Sequence, residues 1–223
     1  MIDSASPLKS SPSFFKKYQF WLFLLLAVVL RQLPFISIPF NWLESYFHEI
    51  SHGIAALVSG GEILRIQLFT NGAGLCTTRG GSAFLVSFFG YAGAVIWGTL
   101  IYLSASYHQR LAQVFTAFII ILLGLTLILW ARDFLTLFIC IILILLFLFS
   151  LKMHNIKQVQ WFLQLTGMTV LLNSLHSPLY LLDGRSLGDG ATLANLTFIP
   201  EIIWVLIWSV TGLVALFLLA RKT

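Results

Sequence analysis

The sequence predicts an all-α polytopic membrane protein, with about six to seven transmembrane or re-entrant helices and a short β-hairpin inserted after the second of them. Three observations carry that reading. Hydrophobic residues make up 59% of the 223-residue chain and charged residues 9%, with a mean hydropathy of +0.94, whereas soluble domains are about half apolar and a quarter charged. Apolar runs of span length follow one another almost without pause from Tyr18 to Leu219. The largest departure from that pattern in the first half, Gly60 to Gly81, is bounded by paired glycines and alternates with period two around Asn71-Gly72, the signature of a hairpin.

Residues 1–17 begin rich in Ser and Pro with no apolar period and are expected to form a disordered cytoplasmic tail. Residues 18–223 are expected to form a single integral membrane domain. The spacing places helices over Tyr18–Ile38, Asn41–Val58, Ser82–Ser104, Leu111–Trp130, Phe134–Leu151, Val159–Leu175 and Pro200–Leu219. The first run has no small-residue cleavage site and leads into Arg31 and Pro34, so it reads as a retained span. In the third, Gly90, Gly93 and Gly98 allow close helix approach. A polar, glycine-bearing break follows the sixth, from Asn173 to Ala194, and such backbone is tolerated at membrane depth where it lines a protein cavity. Lys9, Lys16 and Lys17 before the first run and Arg221 and Lys222 after the last favour cytoplasmic placement of both ends. An odd number of crossings forbids that, so one segment must be re-entrant or partial: the second helix or Phe134–Leu151.

The net charge of +5 does not point to nucleic acid, because the basic residues sit singly or in pairs at the ends of apolar runs. They read as topology signals facing a lipid bilayer. Cys76 and Cys140 fall in the hairpin and mid-helix respectively, so no disulfide is expected between them.

The chemistry is concentrated in His48-Glu49-Ile50-Ser51-His52. On a helix, histidines four apart lie about 40° from each other around the axis and face one metal, while the intervening glutamate points to the flank. Two imidazoles, an open position for water and a neighbouring carboxylate to take its proton form a zinc hydrolase pattern. Such a site needs a third protein ligand, and the candidates are Glu44, His176, Asp183 and Asp189. Asp183 and Asp189 both lie in the late polar break, each followed by a glycine, and one of the two is expected to complete the site. Glu44, one turn before His48, reads either as a carboxylate orienting an imidazole or as an interfacial residue beside Trp42 and Tyr46.

With these residues assembled, the chain resembles the site-2 protease family of intramembrane zinc metalloproteases. The features, in order, are Phe47-His48-Glu49-Ile50-Ser51-His52-Gly53, the glycine-bearing hairpin and helix after it, and Asn173, Pro178 and Asp183-Gly184. The segment from Gly188 to Ala194, with Ile199-Pro200 and Trp204, is similar to a branch of small bacterial members. The resemblance implies zinc held by His48, His52 and either Asp189 or Asp183, Glu49 as general base, and Asn173 on the substrate backbone or oxyanion. It implies cleavage of a membrane protein or peptide substrate in a bacterial cytoplasmic membrane. The alternatives are a non-proteolytic metal transporter or sensor using the same ligands, and a degenerate homologue without activity. The oligomeric state is not written in the chain.

Overall fold

The computed structural model describes residues 14–153 and 155–222, so most of the expected tail lies outside the described residues. It contains α1 (Phe14–Arg31), α2 (Pro34–Val58), β1 (Glu62–Leu68), β2 (Gly74–Arg79), α3 (Ala83–Tyr107), α4 (Gln109–Leu129), α5 (Phe134–Leu151) and α6 (Ile156–His176). A 3-10 turn over Ser177–Leu182, α7 (Asp189–Thr197) and α8 (Glu201–Lys222) complete it. Helix α1 takes in residues 14–17, which the sequence assigned to the tail. The short α7 lies outside the seven helices that the spacing placed. Among the described residues four helices, α3, α4, α5 and α8, are long and apolar enough to cross a membrane, and α1 with α2 adds a fifth if that bent pair is one broken span. The chain is an integral membrane protein, mostly helical with one small sheet.

The first two boundaries differ from expectation. Instead of breaking near residues 39–40, the chain breaks at Gln32-Leu33 and turns through 108°. Pro34 is the cause: it drives Leu33 into extended backbone (φ −94°, ψ 104°) and then opens α2 from its first turn, where a missing N–H costs nothing. Pro39 stays inside α2, at the loss of one backbone hydrogen bond. The result is one 25-residue helix that carries Asn41, Glu44, His48, Glu49 and His52 together.

Helix α6 is too polar to pass as a span on hydropathy, yet it sits in the middle of the bundle against α3. Two of its glutamines are paired inside the bundle: Gln160 Nε2 donates to the Ala105 carbonyl (2.8 Å) and Gln164 Nε2 to Ser106 Oγ (3.0 Å), while Gln19 Nε2 donates to Gln164 Oε1 (2.5 Å). In a bilayer such groups have no water to turn to, so the pairing is what lets α6 lie inside. Gly98 and Gly167 bring the two backbones into contact. A Cβ on Gly167 would lie 2.8 Å from the Gly98 carbonyl and 2.5 Å from the Tyr102 nitrogen. Outward faces of the bundle carry large apolar side chains such as Ile128, Leu145 and Leu213, as lipid contact requires.

The hairpin pairs antiparallel with Leu68 opposite Gly74 and Glu62 opposite Arg79. Its loop is wider than a two-residue Asn-Gly turn: Phe69 N–H donates to the Ala73 carbonyl (2.9 Å), and Asn71 Oδ1 accepts from Ala73 N–H (3.1 Å). A bulge between Ile63 and Arg65 shifts the alternation by one, so that Ile63, Ile66 and Leu68 all enter the core. The outer edge of β1 is closed. Ile66 N–H donates to the Trp130 carbonyl (3.1 Å), and Leu68 N–H donates to Thr136 Oγ1 (3.0 Å), itself tied to Asp133 at the start of α5.

Candidate metal centre

Helix α2 sets His48 and His52 one turn apart, and their Nε2 atoms lie 2.9 Å from each other. Helix α3 supports the pair from the side. His52 Nδ1 donates to the Val86 carbonyl (2.7 Å), which fixes the tautomer and leaves the Nε2 lone pair for a ligand bond. One turn on, Gly90 presents bare backbone to both rings: a Cβ there would meet His52 Cε1, would sit 2.6 Å from His52 Nε2 and would sit 2.8 Å from His48 Cε1. The next residue, Tyr91, packs its ring edge-on to His48, with centroids 4.3 Å apart, and is braced behind by Trp208 at 4.8 Å. Gly93 lies against Ser51, whose hydroxyl donates to the Phe47 carbonyl (2.6 Å) and accepts from Trp97 Nε1 (3.2 Å).

Asp189 arrives from far along the chain. It is the first residue of α7, reached through Gly188 at φ +98°, a conformation that suits glycine. Its Oδ2 lies 3.3 Å from both histidine Nε2 atoms. The three side chains are little exposed, at 13%, 9% and 18%.

The separations test what this group suits. Zinc bound tetrahedrally with bonds of about 2.0–2.2 Å puts neighbouring ligand atoms roughly 3.3 Å apart. The triangle here measures 2.9, 3.3 and 3.3 Å, built from two imidazoles and a carboxylate. The donor set therefore fits one zinc-sized ion, and His48, His52 and Asp189 are the group among the described residues able to hold a metal.

Glu49 is buried beside them and lines a cavity of about 710 Å³ with His48, Tyr91 and Asn173. The hairpin orients it. A Cβ on Gly74 would come within 2.5 Å of Glu49 Cγ and Oε1, and the Cys76 backbone N–H donates to the Glu49 carboxylate. Glycine at the head of β2 is what lets the strand approach the acid so closely.

The remaining sequence candidates fall elsewhere. Asp183 is not in the cluster: its carboxylate accepts from the Arg185 backbone N–H (2.9 Å) and from Arg185 Nε (2.6 Å) on the exposed rim of the cavity. Those bonds from Arg185 hold its carboxyl below the ordinary value. Glu44 is buried in the cavity wall and accepts from Ser177 Oγ (2.8 Å). His176 packs edge-on with Tyr180, ring centroids 5.6 Å apart. Asn173 reaches the cavity, but its Nδ2 donates to Asn41 Oδ1 (2.9 Å). Cys76 and Cys140 are both free thiols. Sequence reasoning missed Val86, Tyr91 and Gly74 as parts of the site. The only signal for them was the run of glycines in α3 and in the hairpin, which marks close approach without saying to what.

Comparison with known proteins yields one family model, described as Peptidase M50B-like, matching residues 21–219. No curated protein and no solved structure matches the chain significantly.

Proposed function

The chain belongs to the Peptidase M50B-like family of membrane metalloproteases, and from that premise we propose that it is a zinc-dependent intramembrane endopeptidase acting on a membrane protein or peptide substrate. His48, His52 and Asp189 are the ligands, and Glu49 is the general base. The observation that supports this reading best is the triangle of two Nε2 atoms and Asp189 Oδ2, every edge 2.9–3.3 Å, with a buried carboxylate beside it that none of the three needs as a ligand.

Zinc, when bound, polarises the scissile carbonyl and makes a water molecule acidic enough to attack near neutral pH. Glu49 takes the proton from that water and returns it to the leaving amide nitrogen. Gly74 and the Cys76 N–H hold the carboxylate in place for both transfers. Asn173, in the cavity wall against Asn41, stands where an extended segment of substrate would lie. Substrate pairing with the hairpin is confined to β2 and the loop before it, because β1 is already closed by Trp130 and Thr136. The membrane is proposed to be a bacterial cytoplasmic one.

Replacing Glu49 with Gln keeps the size and one acceptor while removing the base. Purified Glu49→Gln protein should hold zinc as the wild type does, measured by elemental analysis, and should fail to cut a membrane substrate that the wild type cuts. Retained cleavage would sink the assignment.

A further inference from the structure

We propose that Tyr91 is a further catalytic residue, its hydroxyl donating a hydrogen bond to the carbonyl oxygen of the peptide under attack as that oxygen gathers negative charge. The proposal rests on the proteolytic reading above. Two observations carry it. The Tyr91 ring touches a histidine of the cluster, with centroids 4.3 Å apart, so the side chain is placed beside the reacting groups. It also lines the cavity that Glu49 and His48 line, within the electrostatic field of the Asp189, Glu44 and Glu49 carboxylates.

The hydroxyl is what a purely packing role leaves unexplained. Tyr91 is only 9% exposed and wedged against Trp208, a setting in which phenylalanine would fill the same space. Buried phenols normally find a partner, as Tyr46 does with Thr126 Oγ1 at 3.0 Å. Tyr91 makes no side-chain hydrogen bond among the described residues, and its side chain lines the cavity. Asn173, the amide expected to meet the oxyanion, already spends its Nδ2 on Asn41. A donor aimed at developing charge in a water-poor cavity stabilises the transition state more than the ground state. No proton is transferred in this step.

The test uses the full-length protein in detergent, loaded with zinc, with quenched fluorescent casein as an unstructured substrate and a phosphinic peptide as a tetrahedral anion. Tyr91→Phe keeps the ring. Its zinc content and KM should match the wild type, while kcat and affinity for the phosphinic peptide fall by about 10²-fold or more. Tyr91→Ala, which removes the brace on His48, should lose zinc as well. If Tyr91→Phe retains both kcat and phosphinic-peptide affinity, the proposal is overturned while proteolysis stands. If the wild type neither cuts casein nor binds the phosphinic peptide, the proteolytic reading fails and takes this one with it.

Discussion

Substituting Gly90 with alanine replaces a hydrogen with a methyl group at the most crowded point of the metal centre. The new Cβ would lie 2.6 Å from His52 Nε2 and 2.8 Å from His48 Cε1. Ordinary van der Waals contact begins near 3.4 Å, so the ligand atom must retreat by roughly 0.8 Å, against a tolerance of about 0.2 Å for metal-ligand distances. The rings have little room to yield. His52 is tied through Nδ1 to Val86, on the same helix as the intruding carbon, and His48 is held by the edge of Tyr91. Gly90→Ala should therefore lower zinc affinity by at least the 10–100-fold typical of lost outer-shell support, with the helices otherwise intact. The assay is zinc per protein across a series of buffered zinc concentrations, alongside thermal unfolding of the metal-free protein in detergent. Gly124→Ala is the control, because a Cβ there meets nothing within 4 Å. Wild-type zinc affinity in Gly90→Ala protein would refute the steric argument.

Three other substitutions separate parts of the site. Gly74→Ala pushes a Cβ to 2.5 Å from Glu49, so it should cut kcat by about 10²-fold through a misplaced base while zinc binding persists; loss of zinc instead would show that the hairpin supports the ligands. Asp189→Asn and Asp183→Asn should diverge, since one carboxylate stands 3.3 Å from both imidazoles and the other is engaged by Arg185. Calorimetric zinc titration should find the site lost or weakened at least 10-fold in the first and unchanged in the second, and equal effects would argue that the two aspartates share the ligand role.

Some of this was legible because the physics is local. His48, Glu49 and His52 lie within five residues, and helical spacing alone brings the imidazoles together. The hairpin was readable from its paired glycines and alternation, although the bulge between Ile63 and Arg65, which puts both Ile63 and Ile66 in the core, was not. The choice between Asp183 and Asp189 was beyond sequence. Both precede a glycine, and what separates them is that Arg185 pairs with Asp183 while the turn through Ser186 and Gly188, both at positive φ, swings Asp189 back towards α2. The elbow before Pro34 was equally open, since Pro39 offered a second place to break and only packing decided that α2 would run through it.

The sequence by itself determined that this chain lives in a bilayer and carries a two-histidine, one-glutamate motif on a helix, because composition and i, i+4 spacing act without reference to the rest of the molecule. Only the tertiary structure decided which carboxylate joins the motif and which neighbours hold it. Asp189 is separated from His52 by most of the chain, and Val86, Gly90 and Tyr91 become part of the site only when α3 packs against α2. Contacts between distant segments depend on how helices stack and where turns redirect them, and no residue pattern along the chain records that.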